Sequence, residues 1–276
     1  MRFVRYGEPG QERPGMLDAE GRLRDLSGVV PDLAGAVLGK LPNIDPNGLP
    51  LVEGAPRLGP PVGQVGKFIC IGLNYSDHAA ELGATPPDHP VVFMKATSAI
   101  CGPNDTILMP RGSEKTDWEV ELAIVIGKPA KYVSEADAMD HVAGFCIAND
   151  VSERSFQMDL SGQWTKGKSA DTFGPIGPWL VTPDEMGDLD DLDLSLEVNG
   201  ERMQTGSSRY MIFSIPLIVS HLSHVMSLHP GDVIATGTPP GVGMGMTPPR
   251  FLSEGDEVVA KISGLGEQRL TVGRDG

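Results

Sequence analysis

Apolar residues in this chain fall in short runs rich in Ile, Val and Phe, separated by stretches of Gly, Pro, Asp and Ser. That pattern predicts strands joined by turns, with few helices. From Lys67 onward the runs are KFICIGL, VVFMKA, WEVELAIVIGK, HVAGFCIAND, GPWLVT, LSLEVNGERMQ, DVIATGT and DEVVAKISGLG. Their spacing suits a β-rich α+β domain better than a regular βαβ repeat. Before Lys67 the texture differs: RFVRY, then PGMLDAEGRLRDLS with a hairpin turn at Gly21, then a Pro/Gly-rich run from Leu41 to Gly63. We therefore expect a small N-terminal β module with its linker over residues 1–65 and a larger domain over 66–276. Helices are expected at YSDHAAEL after Asn74, at SEADAMDHV with Ser134 as N-cap and Asp137 in the capping-box position, after Asp150, and at SIPLIVSHLSHVMSL. In the last, Ile215, Ile218, Val219, Leu222 and Val225 recur at helical spacing, and His221 and His224 flank that stripe.

Charge changes what such a domain is expected to bind. Lys and Arg number 22 against 37 Asp and Glu, a net charge of -15, so neither nucleic acid nor an anionic membrane is an expected partner. Part of the acidity lies in PDEMGDLDDLD, which lacks the spacing of a calcium loop and reads as solvated surface. Three cysteines without a CxxC pair argue against a disulfide framework, and the polar N-terminus MRFVRYGEPG against a secretory signal. A cytoplasmic protein without a membrane span is the expectation.

Some of the acids carry chemistry. In TDWEVELAIVIGK the period of two puts Glu119 and Glu121 on one face and Val120, Leu122, Ile124 and Ile126 on the other. On a central strand two such carboxylates need a cation or raised pKa values; on an edge strand they would simply face water. A third carboxylate, Asp150, ends the run HVAGFCIAND, where it is either a ligand or a helix N-cap. Three hard oxygen donors suit Mg²⁺ or Mn²⁺ rather than zinc.

Other segments supply groups for catalysis. In NYSDHAAELG, His78 and Glu81 stand at i and i+3, close enough on a helix for the carboxylate to orient the imidazole. The loop QWTKGKSADTFGP holds Lys166, read as a surface lysine, and Lys168, which is able to hold a developing oxyanion. In GDVIATGTPPGVGMG a strand runs into a Gly-rich turn whose N–H groups and Thr238 hydroxyl are candidates for binding a carboxylate; a plain tight turn is the alternative.

Taken in order, NYSDHAAE, VFMKATSAI, WEVELAIVIGK, NDVSER, KGKSADTFGP, PGDVIATGTPPGVG and GDEVVAKISGLG resemble the fumarylacetoacetate hydrolase family over Lys67 to Gly276. The resemblance implies the family's C-terminal-domain β-roll, a homodimer and a Mg²⁺ or Mn²⁺ site. Its metal ligands fall on Glu119, Glu121 and Asp150, its lid dyad on His78 and Glu81, and its active-site lysine on Lys168. Substrate-binding positions fall on Arg154, Gln157, Thr238 and Lys95. The implied reaction cleaves a C–C bond in a 2,4-dioxo acid and releases pyruvate. The wording is most similar to bacterial members labelled ureidoglycolate lyase or 2,4-diketo-3-deoxy-L-fuconate or -rhamnonate hydrolase. Oxaloacetate decarboxylation or ureidoglycolate cleavage in the same site is the alternative, and a keto-acid-binding protein without turnover is the non-enzymatic one.

Overall fold

Strand-forming runs dominate the computed structural model, which describes residues 1–81 and 83–276. The strands used below are β1 (Arg2–Tyr6), β2 (Arg13–Leu17), β3 (Leu23–Asp25), β4 (Phe68–Gly72), β5 (Val91–Lys95), β6 (Ile107–Met109) and β7 (Val120–Ile126). They continue with β8 (Val142–Asn149), β9 (Gly174–Val181), β10 (Asp193–Val198), β11 (Glu201–Ser207), β12 (Val233–Ala235), β13 (Glu257–Ile262) and β14 (Gly266–Arg274). One mixed sheet runs β3-β2-β1-β9-β8-β7-β12-β4-β5, and a five-stranded sheet runs β11-β10-β13-β14-β6. The N-terminal strands thus extend the large sheet through the β1–β9 pairing, in which Phe3 faces Leu180.

Strand β7 lies in the middle of its sheet, and its alternation separates two cores. Val120, Leu122, Ile124 and Ile126 pack with Leu194, Leu196, Val258 and Ala260 of the second sheet. Ala123 and Val125 pack on the opposite face with Phe68, Leu33 and Leu38. Register then decides where the polar ends meet. Strand β8 runs antiparallel to β7 with Asn149 opposite Val120. Strand β12 is also antiparallel to β7, and β4 is parallel to β12. Hence the segments leaving β8, β12 and β4 all emerge beside the start of β7.

Four α-helices occur among the described residues: α1 (Ser76–Glu81), α2 (Arg154–Met158), α3 (Thr165–Lys168) and α4 (Ile215–Val225). Leu82, the last residue of the expected first helix, lies outside the described residues. In α4, Ser214 accepts from the Leu217 N–H as N-cap, and Ile215, Ile218, Val219 and Leu222 are buried. Val225, expected in the same stripe, is 61% exposed, because the chain leaves the helix there. The segment after Ser134 is a 3-10 helix over Glu135–His141; the Ser134 hydroxyl bonds the Asp137 side chain and caps no backbone N–H. No helix among the described residues is long and apolar enough to cross a membrane.

The β2–β3 turn gives one stability prediction. Asp18, whose side chain is buried, accepts from the Glu20 and Arg22 N–H groups and from the Arg22 and Arg24 guanidinium groups. Burial pushes its pKa up, but the Arg22 backbone N–H and the two guanidinium groups outweigh it and hold it at about 2. A carboxylate held below its unfolded pKa of about 3.9 stabilises above that pH and loses the contribution as pH falls through the folded value. Asp18→Asn should therefore unfold at lower urea than wild type at pH 6, and the gap should close between about pH 4 and pH 2.

Candidate active site

Both carboxylates of the β7 segment are buried, Glu119 at 7% and Glu121 at 2% exposure, which excludes the edge-strand alternative. Asp150, fully buried, donates its backbone N–H to the Glu119 carbonyl at 2.9 Å. It caps no helix: the N-cap of α2 is Glu153, whose side chain accepts from the Ser155 N–H. One oxygen from each of Glu119, Glu121 and Asp150 lies within 4.8 Å of the others. The sheet register alone accounts for this meeting, since β7 starts where β8 ends.

The three acids are compensated unequally. Lys168 Nζ donates to Glu119 Oε2 and Asp150 Oδ2, each at 2.7 Å. Arg154 donates to Glu119 Oε1 at 2.6 Å. Burial pushes the Glu119 pKa up, but Lys168 and Arg154 outweigh it and hold the carboxyl well below the usual range. Burial likewise disfavours the charged forms of Lys168 and Arg154, and the facing carboxylates more than reverse this. Among the described residues Glu121 bonds only the Gly237 N–H, at 2.8 Å, so burial, Asp150 and Glu119 drive its pKa well up. A buried carboxylate beside two others with no cation of its own is a donor set that a hard divalent ion fits.

Lys95 contacts Asp150 Oδ1 and donates to the Val151 carbonyl at 3.0 Å. It is fully buried and lies behind Asp150, so it orients that acid and does not line the cavity. Four carboxylates, counting Asp117, thus face three cationic side chains, Lys95, Lys168 and Arg154. A bound divalent cation would leave this group net positive and receptive to an anion.

Asp117 is the residue that the sequence reading passed over, although it continues the face of Glu119 and Glu121 two positions earlier. It accepts from Arg154 Nε at 2.8 Å and from the N–H groups of Trp118, Gly243 and Met244. Arg154 is then held on three sides, with Nη1 donating to Gln157 Oε1 at 3.0 Å. Between α2 and α3 the backbones approach closely at Gly167, where a Cβ would sit 2.5 Å from the Glu153 carbonyl. This contact brings Lys168 toward Glu119.

The Gly-rich turn after β12 does bind carboxylates, but they are the protein's own. Gly237 donates to Glu121, Gly241 to Glu81 at 2.9 Å, and Gly243 and Met244 to Asp117. Gly241 has φ +101 and no room for a Cβ against the Met203 carbonyl, so glycine is required for this aim. The Thr238 hydroxyl donates to the Val120 carbonyl at 2.9 Å and accepts from Gln204, although the residue lines the cavity. Asn74, at the entry to α1, bonds both the Phe213 backbone and the Thr236 carbonyl. His78 Nδ1 then meets Glu81 Oε2 at 2.9 Å, with the imidazole 6% exposed on the cavity wall. A Gly241→Val change, strained at this φ and pressed against the Met203 carbonyl, should unseat Glu81 and lower both turnover and thermal stability, as parallel kcat and Tm measurements will read.

These groups surround a cavity of about 210 Å³ lined by His78, Glu119, Glu121, Arg154, Gln157, Lys168 and Thr238 together with apolar side chains. Residues 67–273 match the model of the fumarylacetoacetate hydrolase C-terminal domain. The chain belongs to the fumarylacetoacetate hydrolase family. Among relatives of this family, a Burkholderia multivorans protein named only provisionally, as a hydrolase, is 61% identical over 97% of each chain. The solved fumarylacetoacetate hydrolase of psychrophilic Exiguobacterium antarcticum is 36% identical, with a TM-score of 0.90 over 100% of both chains. A 2-hydroxyhepta-2,4-diene-1,7-dioate isomerase from Mycobacterium marinum is also 36% identical, with a TM-score of 0.79 over 100% of this chain and 99% of that one. Family membership makes the chain an enzyme of a hydrolase and isomerase fold.

Proposed function

We propose that this member of the fumarylacetoacetate hydrolase family hydrolyses a carbon–carbon bond in a 2,4-dioxo acid and releases pyruvate, with Mg²⁺ or Mn²⁺ as cofactor. The observation that carries the reading is that one cavity is lined both by Glu119 and Glu121 of the three-carboxylate cluster and by His78 of the His–Glu dyad. Glu119, Glu121 and Asp150 would hold the cation, which supplies Lewis acidity toward the oxygens of the oxo-acid head. With Nδ1–H donated to Glu81, His78 keeps Nε2 as the acceptor that takes a proton from water. The water oxygen adds to C4, the C3–C4 bond breaks, and its electron pair passes to C3 and the C2 oxygen. C3 then takes a proton to give pyruvate, and C4 leaves as a carboxylic acid. Lys168, kept charged by Asp150 and Glu119, faces the negative charge that develops at the head. Arg154 and Gln157 border the same space.

The test is pyruvate release from acylpyruvates in Mg²⁺, in Mn²⁺ and in EDTA. We expect release with either ion, none in EDTA, and a loss of roughly 10²–10⁴-fold in His78→Gln. Metal-independent release would overturn the reading. Decarboxylation of oxaloacetate needs no attacking water, so oxaloacetate turnover that survives His78→Gln, without acylpyruvate cleavage, would favour the decarboxylase instead.

A further inference from the structure

Two helices beside the cavity each carry a cation and, one turn away, an apolar side chain. Helix α2 carries Arg154 and, one turn on, Met158; helix α3 ends on Lys168 and has Trp164 one turn before it. Residues four apart share a helix face, so each helix sets a cation against the carboxylates and an apolar side chain about 5–6 Å farther along. Exposure gives the direction: Arg154 is 4% exposed and Met158 53%, so the apolar end is the outer one. Leu73, Ala84, Phe93 and Met244 also line the cavity, and the Phe93 and Trp164 rings meet edge to face at 5.3 Å.

No cation is left for a charge at that outer end. Besides His78, which is paired with Glu81, the cationic side chains lining the cavity among the described residues are Arg154 and Lys168, and both are ion-paired with Glu119. Lys166 turns away to the Leu160 carbonyl and the Ser161 hydroxyl, and Lys115 pairs with Asp159 outside the cavity. A carboxylate there would lose water without gaining a cationic partner, and apart from the Trp164 indole N–H the side chains there offer a hydroxyl no hydrogen bond. We infer that the far end of the substrate is a short apolar group without charge or hydroxyls, an inference that rests on the oxo-acid head proposed above. It separates this chain from an enzyme acting on a 1,7-dioate, the substrate named for the Mycobacterium marinum protein, and from one acting on diketo-deoxy sugar acids.

Two measurements on the Mg²⁺-loaded full chain test it. Turnover is compared for three acids that share the 2,4-dioxo head: acetylpyruvate, fumarylpyruvate and a 2,4-diketo-3-deoxy sugar acid. Independently of turnover, binding of 2-oxohexanoate is compared with that of 2-oxoadipate, which adds only a terminal carboxylate. We expect kcat/KM for acetylpyruvate to exceed that for the sugar acid by roughly 10–100-fold and that for fumarylpyruvate by about a hundredfold or more. The 2-oxohexanoate should bind more tightly in the same sense. Met158→Arg, at a half-exposed position, should raise affinity for 2-oxoadipate at least about tenfold by supplying a partner for its tail. Equal or better handling of the charged or hydroxylated tails by wild type overturns the inference while the dioxo-acid reading stands. If none of the three acids is cleaved, that reading falls, and 2-oxoadipate binding as tightly as 2-oxohexanoate would overturn the tail rule as well.

Discussion

Glu121→Gln is expected to abolish stabilisation by Mg²⁺ or Mn²⁺ and to leave the metal-free protein at least as stable as wild type. Both halves come from the unequal compensation of the three acids. Glu119 has Lys168 and Arg154, and Asp150 has Lys95 and Lys168, whereas among the described residues Glu121 has the Gly237 N–H alone. Without a cation its negative charge is repelled by two neighbours in a buried setting, and an amide of the same shape removes that repulsion. The Gly237 N–H keeps an acceptor in the amide oxygen. With metal present the balance reverses, because the third oxygen donor is gone. For wild type, metal at a hundred times its Kd adds about 2.7 kcal/mol, or roughly 5–10 °C in Tm for a chain of this size. Thermal melts with and without Mn²⁺ should show that shift in wild type and none in the variant. Turnover should fall by more than the ~10–100-fold that loss of an outer-shell partner costs. A variant that still gains several degrees from Mn²⁺, or that melts well below wild type in EDTA, would remove Glu121 from the cation site.

The carboxylate cluster was legible in the sequence because a period of two is a rule about direction: it placed Glu119 and Glu121 together whatever the fold around them. What alternation could not tell was whether the strand is central, and only the pairing of β7 with β8 and β12 settles that. The same rule applied two residues earlier would have found Asp117, whose partners, Arg154 and the turn at Gly243, lie 37 and 126 positions away. The His78–Glu81 pair was readable as a local helical spacing, and the structure brings the two side chains together. The Gly-rich turn was recognisable as an array of N–H donors, but not the identity of its acceptors, since Glu81, Asp117 and Glu121 reach it through tertiary structure. Lys95 could be assigned to the site region but not to the far side of Asp150. The apolar part of the cavity lining was unreadable for a similar reason: Leu73, Phe93, Met158, Trp164 and Met244 come from five separate segments.

Arg154→Met should cause the largest loss of stability of any single change at the site, and that loss should depend on Asp117. The guanidinium lies 5% exposed between Asp117 and Glu119, and its fork meets both carboxylates and Gln157 at once. Removing one partner of a buried ion pair costs about 3–5 kcal/mol, because the carboxylates left behind remain desolvated. Two features soften this: Asp117 keeps three N–H donors, and Glu119 keeps Lys168. The lower end, about 3 kcal/mol or roughly 6–12 °C in Tm, is therefore the expectation. Melting in EDTA keeps metal linkage out of the comparison. Arg154→Lys retains the charge but replaces a planar fork by one ammonium, which cannot face Asp117, Glu119 and Gln157 together, and should fall between wild type and Met. The decisive variant is the double one, Arg154→Met with Asp117→Asn. Once Asp117 is neutral it no longer needs the guanidinium, so the second change should cost less in the Met background than in wild type, by roughly 0.5–3 kcal/mol. Strict additivity would mean that Arg154 acts by filling space and that its charge is not coupled to Asp117.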